Sequence, residues 1–181
     1  MPQPTEERVY TIEDIYALPE GQRAELIDGH IYYMAAPSIT HQEISSFLHV
    51  SIGSYIRSRK GTCKIYAAPF AVFLNADDSK YLESDLSIIC DKDKLTGRGC
   101  MGAPDWIIEI VSPSSVKMDY NKKMFLYRMA GVREYWIIDP EDNSVLVYDF
   151  ENGEIMRYTL QDKVQVGIYE DLTIDFSELT L

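Results

Sequence analysis

One apolar stretch restricts this chain more than any other. GAPDWIIEIVSPS, residues 102–114, reads as a buried strand with a single interior charge, Glu109. A carboxylate is almost never buried without compensation, because it loses its hydration and gains nothing from hydrocarbon. Four arrangements excuse Glu109: a neighbouring cation, a bound metal, a raised pKa, or an exposed sheet edge.

At 181 residues, the chain is expected to form one domain over residues 1–181 with a substantial core. The hydrophobic share of 46% and charged share of 25% are those of an ordinary globular protein. No apolar run nears the roughly 20 residues that cross a bilayer, so no membrane partner is expected. The opening MPQPTEERVY lacks the basic-then-apolar order of a secretory leader. Cys63, Cys90 and Cys100 are odd in number and widely spaced, which suggests neither a disulfide framework nor a zinc motif. A cytoplasmic location is the resulting expectation.

The formal net charge is -12. Unaided binding to nucleic acid rests on Lys and Arg neutralising phosphates, and the clearest basic cluster, Arg57, Arg59, Lys60 and Lys64, is modest. Acidity therefore weighs against tight DNA binding. A bound cation inverts the local field, so an enzyme that touches DNA briefly stays open.

Thr11 caps a short helix, with Asp14 completing a capping box and Pro19 and Gly21 ending it near Leu18. AELIDGHIYYMAA is a hairpin turning at Asp28-Gly29. Thr40 and Glu43 cap a second helix, whose stripe of Ile44, Phe47, Leu48, Ile52, Tyr55 and Ile56 runs to about Arg59. Residues 63–74 are strand material, with Pro69 marking a bend or an edge. A polar loop, NADDSKYLES, precedes the buried strand 85–90, and a second polar loop precedes the Glu109 strand. Ser112-Pro113-Ser114-Ser115 breaks that strand and opens a helix, KMDYNKKMFLYRMA, which ends at Gly131. A strand at 134–139, a hairpin over 145–160 turning at ENGE, and two short runs near 164–168 and 172–176 complete the chain. The expected fold is α/β, a mixed sheet flanked by two principal helices with additional β-hairpins.

Three carboxylates fall at strand positions: Glu25 in the first hairpin, Asp85 at a strand start and Glu109 within its strand. Neighbouring strands lie under 5 Å apart, so two carboxylates at matching heights can share a hard cation such as Mg²⁺ or Mn²⁺. Such an ion activates water and offsets charge developing on a phosphate. Lys123, on the following helix, would hold that water. A buried structural ion pair between Glu109 and Lys123 is the alternative. Asp119 and Lys123 are an i,i+4 pair that can simply support the helix, and Tyr127 shares their face. His41 stands just inside the second helix, bonded to nearby backbone or reaching a substrate phosphate. The serines lack a G-x-S-x-G setting for an acyl nucleophile.

The chain resembles the Uma2 family, with a restriction-endonuclease-like fold of the PD-(D/E)XK class. The resemblance rests on AELIDGHIYYMAAPSITHQE, DLSIICDKDKLTGRGCMGAPDWIIEIVSPSS and DYNKKMFLYRMAGVREYWIIDP. It implies that Asp85 and Glu109, with the backbone carbonyl of Ile110, hold Mg²⁺ or Mn²⁺. Glu25 would bind through a water or hold a second ion. The class places a lysine two residues after the glutamate, where this chain has Val111. In this family the lysine sits on the next helix, at Lys123 with the adjacent Lys122 as alternative. Ser84 replaces the proline of the usual Pro-Asp, and Asp105, four residues before Glu109, is read as structural. The implied function is a metal-dependent endonuclease acting on DNA, expected to work as a homodimer through the aromatic hairpins from Val145 onward. The alternative is a non-catalytic module on the same scaffold, recognising a protein partner.

Overall fold

The computed structural model describes residues 8–181, so most of the stretch read as lacking a leader lies outside the described residues. The first half of the chain runs α1 (Ile12–Tyr16), β1 (Ala24–Ile27), β2 (His30–Tyr33), α2 (Ile39–Ser58), β3 (Lys64–Ala67), β4 (Val72–Phe73), β5 (Lys80–Leu82) and β6 (Leu86–Ile89). The second half runs β7 (Leu95–Thr96), β8 (Gly99–Met101) and β9 (Trp106–Ile110), then a π-helical turn (Met118–Lys123) continuing into α3 (Met124–Ala130). It closes with β10 (Glu134–Asp139), β11 (Ser144–Asp149), β12 (Glu154–Tyr158), β13 (Lys163–Gln165) and β14 (Thr173–Asp175).

The architecture is α/β. Two six-stranded sheets, ordered β2-β1-β5-β4-β8-β7 and β12-β11-β10-β9-β6-β3, are accompanied by a separate small pair, β13-β14. Strands β9 and β10 run parallel, linked by α3 as a crossover, while β6 is antiparallel to β9. All five residues of β9 are buried, as expected of a central strand covered on both faces.

The alternation along β9 decides where its charge points. Trp106, Ile108 and Ile110 face the core that α2 covers with Ile44, Leu48, Ile52 and Ile56. Ile107 and Val111 face the opposite core, shared with Tyr127 of α3 and with Ile27 and Leu82 of the other sheet. Glu109 therefore points between the two sheets, toward α3 and β1.

Several local expectations hold. Thr11 N–H donates to the Asp14 carboxylate at 2.9 Å, and Asp28 and Gly29 take φ of 50° and 79°, the primed turn that matches strand twist. Gly131 ends α3 at φ 93°. Others change. The cap of α2 is Ser38, whose side chain accepts from the His41 amide at 3.1 Å, so Thr40 and Glu43 fall inside the helix. The loop NADDSKYLES contains β5, and the loop before β9 contains β7 and β8. Strands of two or three residues are too short to display a hydrophobic period, and these build most of a second sheet where one was expected.

The expectation of no disulfide is also corrected. Lys64 pairs with Ile89 between β3 and β6, so Cys63 and Cys90 stand opposite each other one step further along and are bonded. Spacing along the chain carries no information about such cross-strand neighbours. Cys100 is a buried free thiol that burial pushes up to about 11.

Candidate functional site

Glu25, Asp85, Glu109 and Lys123 come from β1, the approach to β6, β9 and the end of the π-helical turn, and all four line one cleft of about 860 Å³. Three are deeply buried: Glu25 is 4%, Glu109 3% and Lys123 5% exposed. Asp85 is the more accessible, with 14% of its side chain exposed.

At the centre is the Lys123 ammonium. Its Nζ lies 2.9 Å from Glu25 Oε1, 3.1 Å from Glu109 Oε1 and 3.5 Å from Asp119 Oδ1. The ambiguity between the two lysines is resolved by position: Lys122 turns away and donates to the Tyr32 hydroxyl at 2.6 Å. Burial disfavours the Lys123 charge, but the carboxylates of Glu109, Glu25 and Asp119 outweigh it and hold the ammonium protonated well above the ordinary lysine range. Burial drives Glu109 in the other sense, well above the usual carboxylate range; Lys123 opposes this, while Asp119, Asp85 and Glu25 add to it. Burial raises Asp119 too. One ammonium faces more negative charge than it can neutralise.

The surrounding groups fix these side chains. Tyr127 donates to Glu109 Oε1 at 2.8 Å, and the Tyr135 hydroxyl donates to the Asp119 carbonyl at 3.1 Å, which pins the π-helical turn to β10. Glu25 Oε1 accepts from the Glu83 amide at 3.0 Å, and Arg23 Nε and the Tyr81 hydroxyl donate to Glu83 from behind at 2.7 and 2.6 Å. Asp85 is held at both ends: its Oδ2 accepts from the Ile110 amide at 2.7 Å, and His41 Nε2 lies 3.1 Å from Oδ1. The Asp85 amide reaches Glu109 Oε2 at 3.3 Å.

Asp119 and His41 have roles that the sequence left undecided. Asp119 looks like an ordinary i,i+4 helix partner; the structure buries it, with Oδ1 met only by the Lys123 ammonium at 3.5 Å. His41 touches Asp85, a contact across 44 residues that no local pattern announces. Tyr127 does share the Lys123 face, as the helical spacing indicates. Asp105 lies elsewhere, accepting from the Cys90 amide at 2.7 Å and facing Arg133 at 3.5 Å, in keeping with a structural residue.

Among the described residues no three His, Cys, Asp or Glu side chains enclose a ready metal cage. Mg²⁺ seldom uses one: it keeps several waters and is bound through one or two carboxylates plus substrate phosphate. Asp85 and Glu109 supply two hard oxygen donors in an electronegative setting, a donor set that suits such an ion.

A solved structure with the same fold is that of a "putative nuclease belonging to DUF820" from Anabaena variabilis. It is 22% identical, with a TM-score of 0.74 over 93% of this chain and 96% of that one. An uncharacterized protein of Synechocystis, slr1290, is 23% identical over 149 residues, 80% of this chain and 77% of its own length. The model of the Uma2 family, described as "Putative restriction endonuclease", matches residues 12–180. With nearly its whole length matched, this chain belongs to the Uma2 family.

Proposed function

We propose that the chain is a divalent-metal-dependent nuclease that hydrolyses phosphodiester bonds. The observation that carries this reading is the meeting of Glu25, Asp85, Glu109 and Lys123, from four separate elements, in one cleft. The printed descriptions of the family and of the Anabaena protein point the same way.

Asp85, Glu109 and the Ile110 carbonyl would hold Mg²⁺ or Mn²⁺, with Glu25 beside them. When bound, the ion would lower the pKa of water and neutralise charge on the phosphate. The protein's own groups do the rest. Lys123, held against Glu25 and Glu109, would orient or deprotonate the attacking water and offset developing charge. Tyr127 and the Asp85 amide hold the Glu109 carboxylate in place. His41 and the Ile110 amide do the same for Asp85. In the reaction the attacking water gives up a proton as its oxygen bonds to phosphorus and the opposite P–O bond breaks, and the leaving oxygen takes up a proton in turn, so that none is gained or lost overall.

A second reading has an observation of its own. Lys123 and its acids form a closed buried ion cluster, which a non-catalytic protein-binding module would also retain as scaffold. The two readings separate in one assay. Supercoiled, linear and single-stranded DNA are incubated in Mg²⁺ and then Mn²⁺, with Asp85→Ala and Glu109→Ala alongside and metal binding followed by calorimetry. Cleavage and metal binding lost in both variants is the expected result. A folded protein that neither binds metal nor cuts would favour the module.

A further inference from the structure

The three carboxylates around Lys123 are not equivalent. Glu109 Oε1 also accepts from the Tyr127 hydroxyl, and its Oε2 takes the Asp85 amide. Glu25 Oε1 also accepts from the Glu83 amide. Asp119 Oδ1 is met by Lys123 alone among the described residues, at 3.5 Å, and the residue is 2% exposed. They differ in anchorage too. Glu25 and Glu109 project from β1 and β9, whereas Asp119 shares the π-helical turn with Lys123. The Tyr135 hydroxyl ties that turn to β10 through the Asp119 carbonyl at 3.1 Å. One turn of backbone therefore sets Asp119 and Lys123 in relation to each other, whatever the two strand glutamates do.

A divalent ion held by Asp85 and Glu109 would change the balance among these acids. Its field repels an ammonium in the same cluster. The negative charge of Glu109, and of Glu25 beside it, is then shared between the ion and Lys123. Asp119 stands outside that ligand set, so its attraction for Lys123 is not shared. Its separation of 3.5 Å also leaves room for the ammonium to draw closer, which Coulomb attraction favours in a site with little water.

We propose that Asp119 is a positioning residue, which retains Lys123 at the site when a divalent ion occupies Asp85 and Glu109. This inference rests on the nuclease reading for the ion, and metal binding by the wild type tests that reading by itself. Without the ion Glu25 and Glu109 suffice to hold the ammonium, so the part played by Asp119 emerges only with metal bound. A role confined to supporting the helix would act equally with and without metal. Lys123 is acetylated with an amine-directed reagent and quantified by mass spectrometry against the exposed Lys60. The measurement is made in EDTA and in saturating Mn²⁺, for the wild type, Asp119→Asn and the smaller neutral variant Asp119→Ser. Asn keeps the shape and removes the charge, and circular dichroism melts verify folding. Calorimetry records Mn²⁺ binding to the wild type.

The expected result is a wild-type Lys123 equally protected in both conditions. In Asp119→Asn it should be protected in EDTA and about tenfold more reactive in Mn²⁺. Where DNA is cut, the same variant should lower kcat about a hundredfold with KM unchanged, the mark of an interaction made in the transition state. A wild-type Lys123 that becomes reactive on binding Mn²⁺ would overturn the proposal without any variant. Neutral variants whose Lys123 is equally protected, or equally reactive, with and without the ion would overturn it too. No Mn²⁺ bound by the wild type would remove the nuclease reading and this inference together. Mn²⁺ bound, with Lys123 indifferent to Asp119→Asn, would remove this inference alone.

Discussion

Two buried glutamates lie on adjacent strands and have opposite surroundings. Glu109 of β9 faces an ammonium, a phenol and other acids at the floor of a cleft. Glu134 of β10, 1% exposed, is held by neutral donors, the amides of Gly167 at 3.0 Å and Ile168 at 2.9 Å and the Trp136 indole at 2.6 Å, with the Asp149 carboxylate nearby and, among the described residues, no cation against it. The backbone fits so closely there that a Cβ on Gly167 would stand 3.2 Å from Glu134 Oε2. Burial raises both carboxyl groups. Burial alone therefore does not distinguish the two; an ammonium partner and a route from solvent do.

Removing the cation at the centre of the cluster has the largest effect. Lys123→Met should destabilise the protein by about 3–5 kcal/mol, because it leaves Glu25, Glu109 and Asp119 buried without their cation. Urea denaturation at neutral pH checks this, and a loss under about 1 kcal/mol would mean the cluster does not exist in solution as described. Glu134→Ala should cost about 2–3 kcal/mol by stranding three N–H donors, yet leave calorimetric metal binding untouched. Weakened metal binding in that variant would erase the distinction drawn between the two glutamates.

A subtler effect belongs to His41. Its ring steadies Asp85, so His41→Gln should lower metal affinity by about tenfold while the unfolding midpoint hardly moves. A large stability loss with unchanged affinity would make the contact merely structural.

The smallest effect is in pH. Glu134 has a folded pKa raised above the ordinary 4.5, so the folded state holds its proton more tightly than the unfolded chain does. Its contribution is fully present below 4.5 and is lost as pH rises through the folded value. Glu134→Gln removes that titration, so the variant should gain stability relative to wild type as pH rises from about 4 toward neutrality. Denaturation at several pH values measures the difference, and a constant gap would contradict the raised pKa.

Much of the molecule is legible from its residues because the signals are local. Asp28-Gly29 dictates a turn, Gly131 a helix end, and the apolar run around Glu109 a covered strand. The three strand carboxylates and Lys123 stand out because each breaks a pattern or occupies a position the family resemblance marks. The illegible contacts arise from distance. Cys63 meets Cys90, and His41 meets Asp85, only after β3, α2 and β6 are assembled. The strands β5, β7 and β8 form because neighbours offer backbone partners, so their two or three residues give no warning. Asp119 is visible only as a helix partner, since i,i+4 spacing cannot tell a solvated pair from one turned inward.

The π-helical turn at Met118–Lys123 has a further consequence. A wide turn spends one more residue than an α-helix needs to cover the same rise, and here that surplus decides which lysine meets the acids and which meets Tyr32. Deleting one residue from this turn would let the helix relax into regular geometry, rotating its upstream part by about 100° against its downstream part. The helix itself would be more orthodox for the loss, while Asp119 and Lys123 could no longer aim at the same point. Length within this turn is thus constrained as tightly as the identities of Asp119 and Lys123: a single-codon insertion or deletion changes the gearing between helix and sheet.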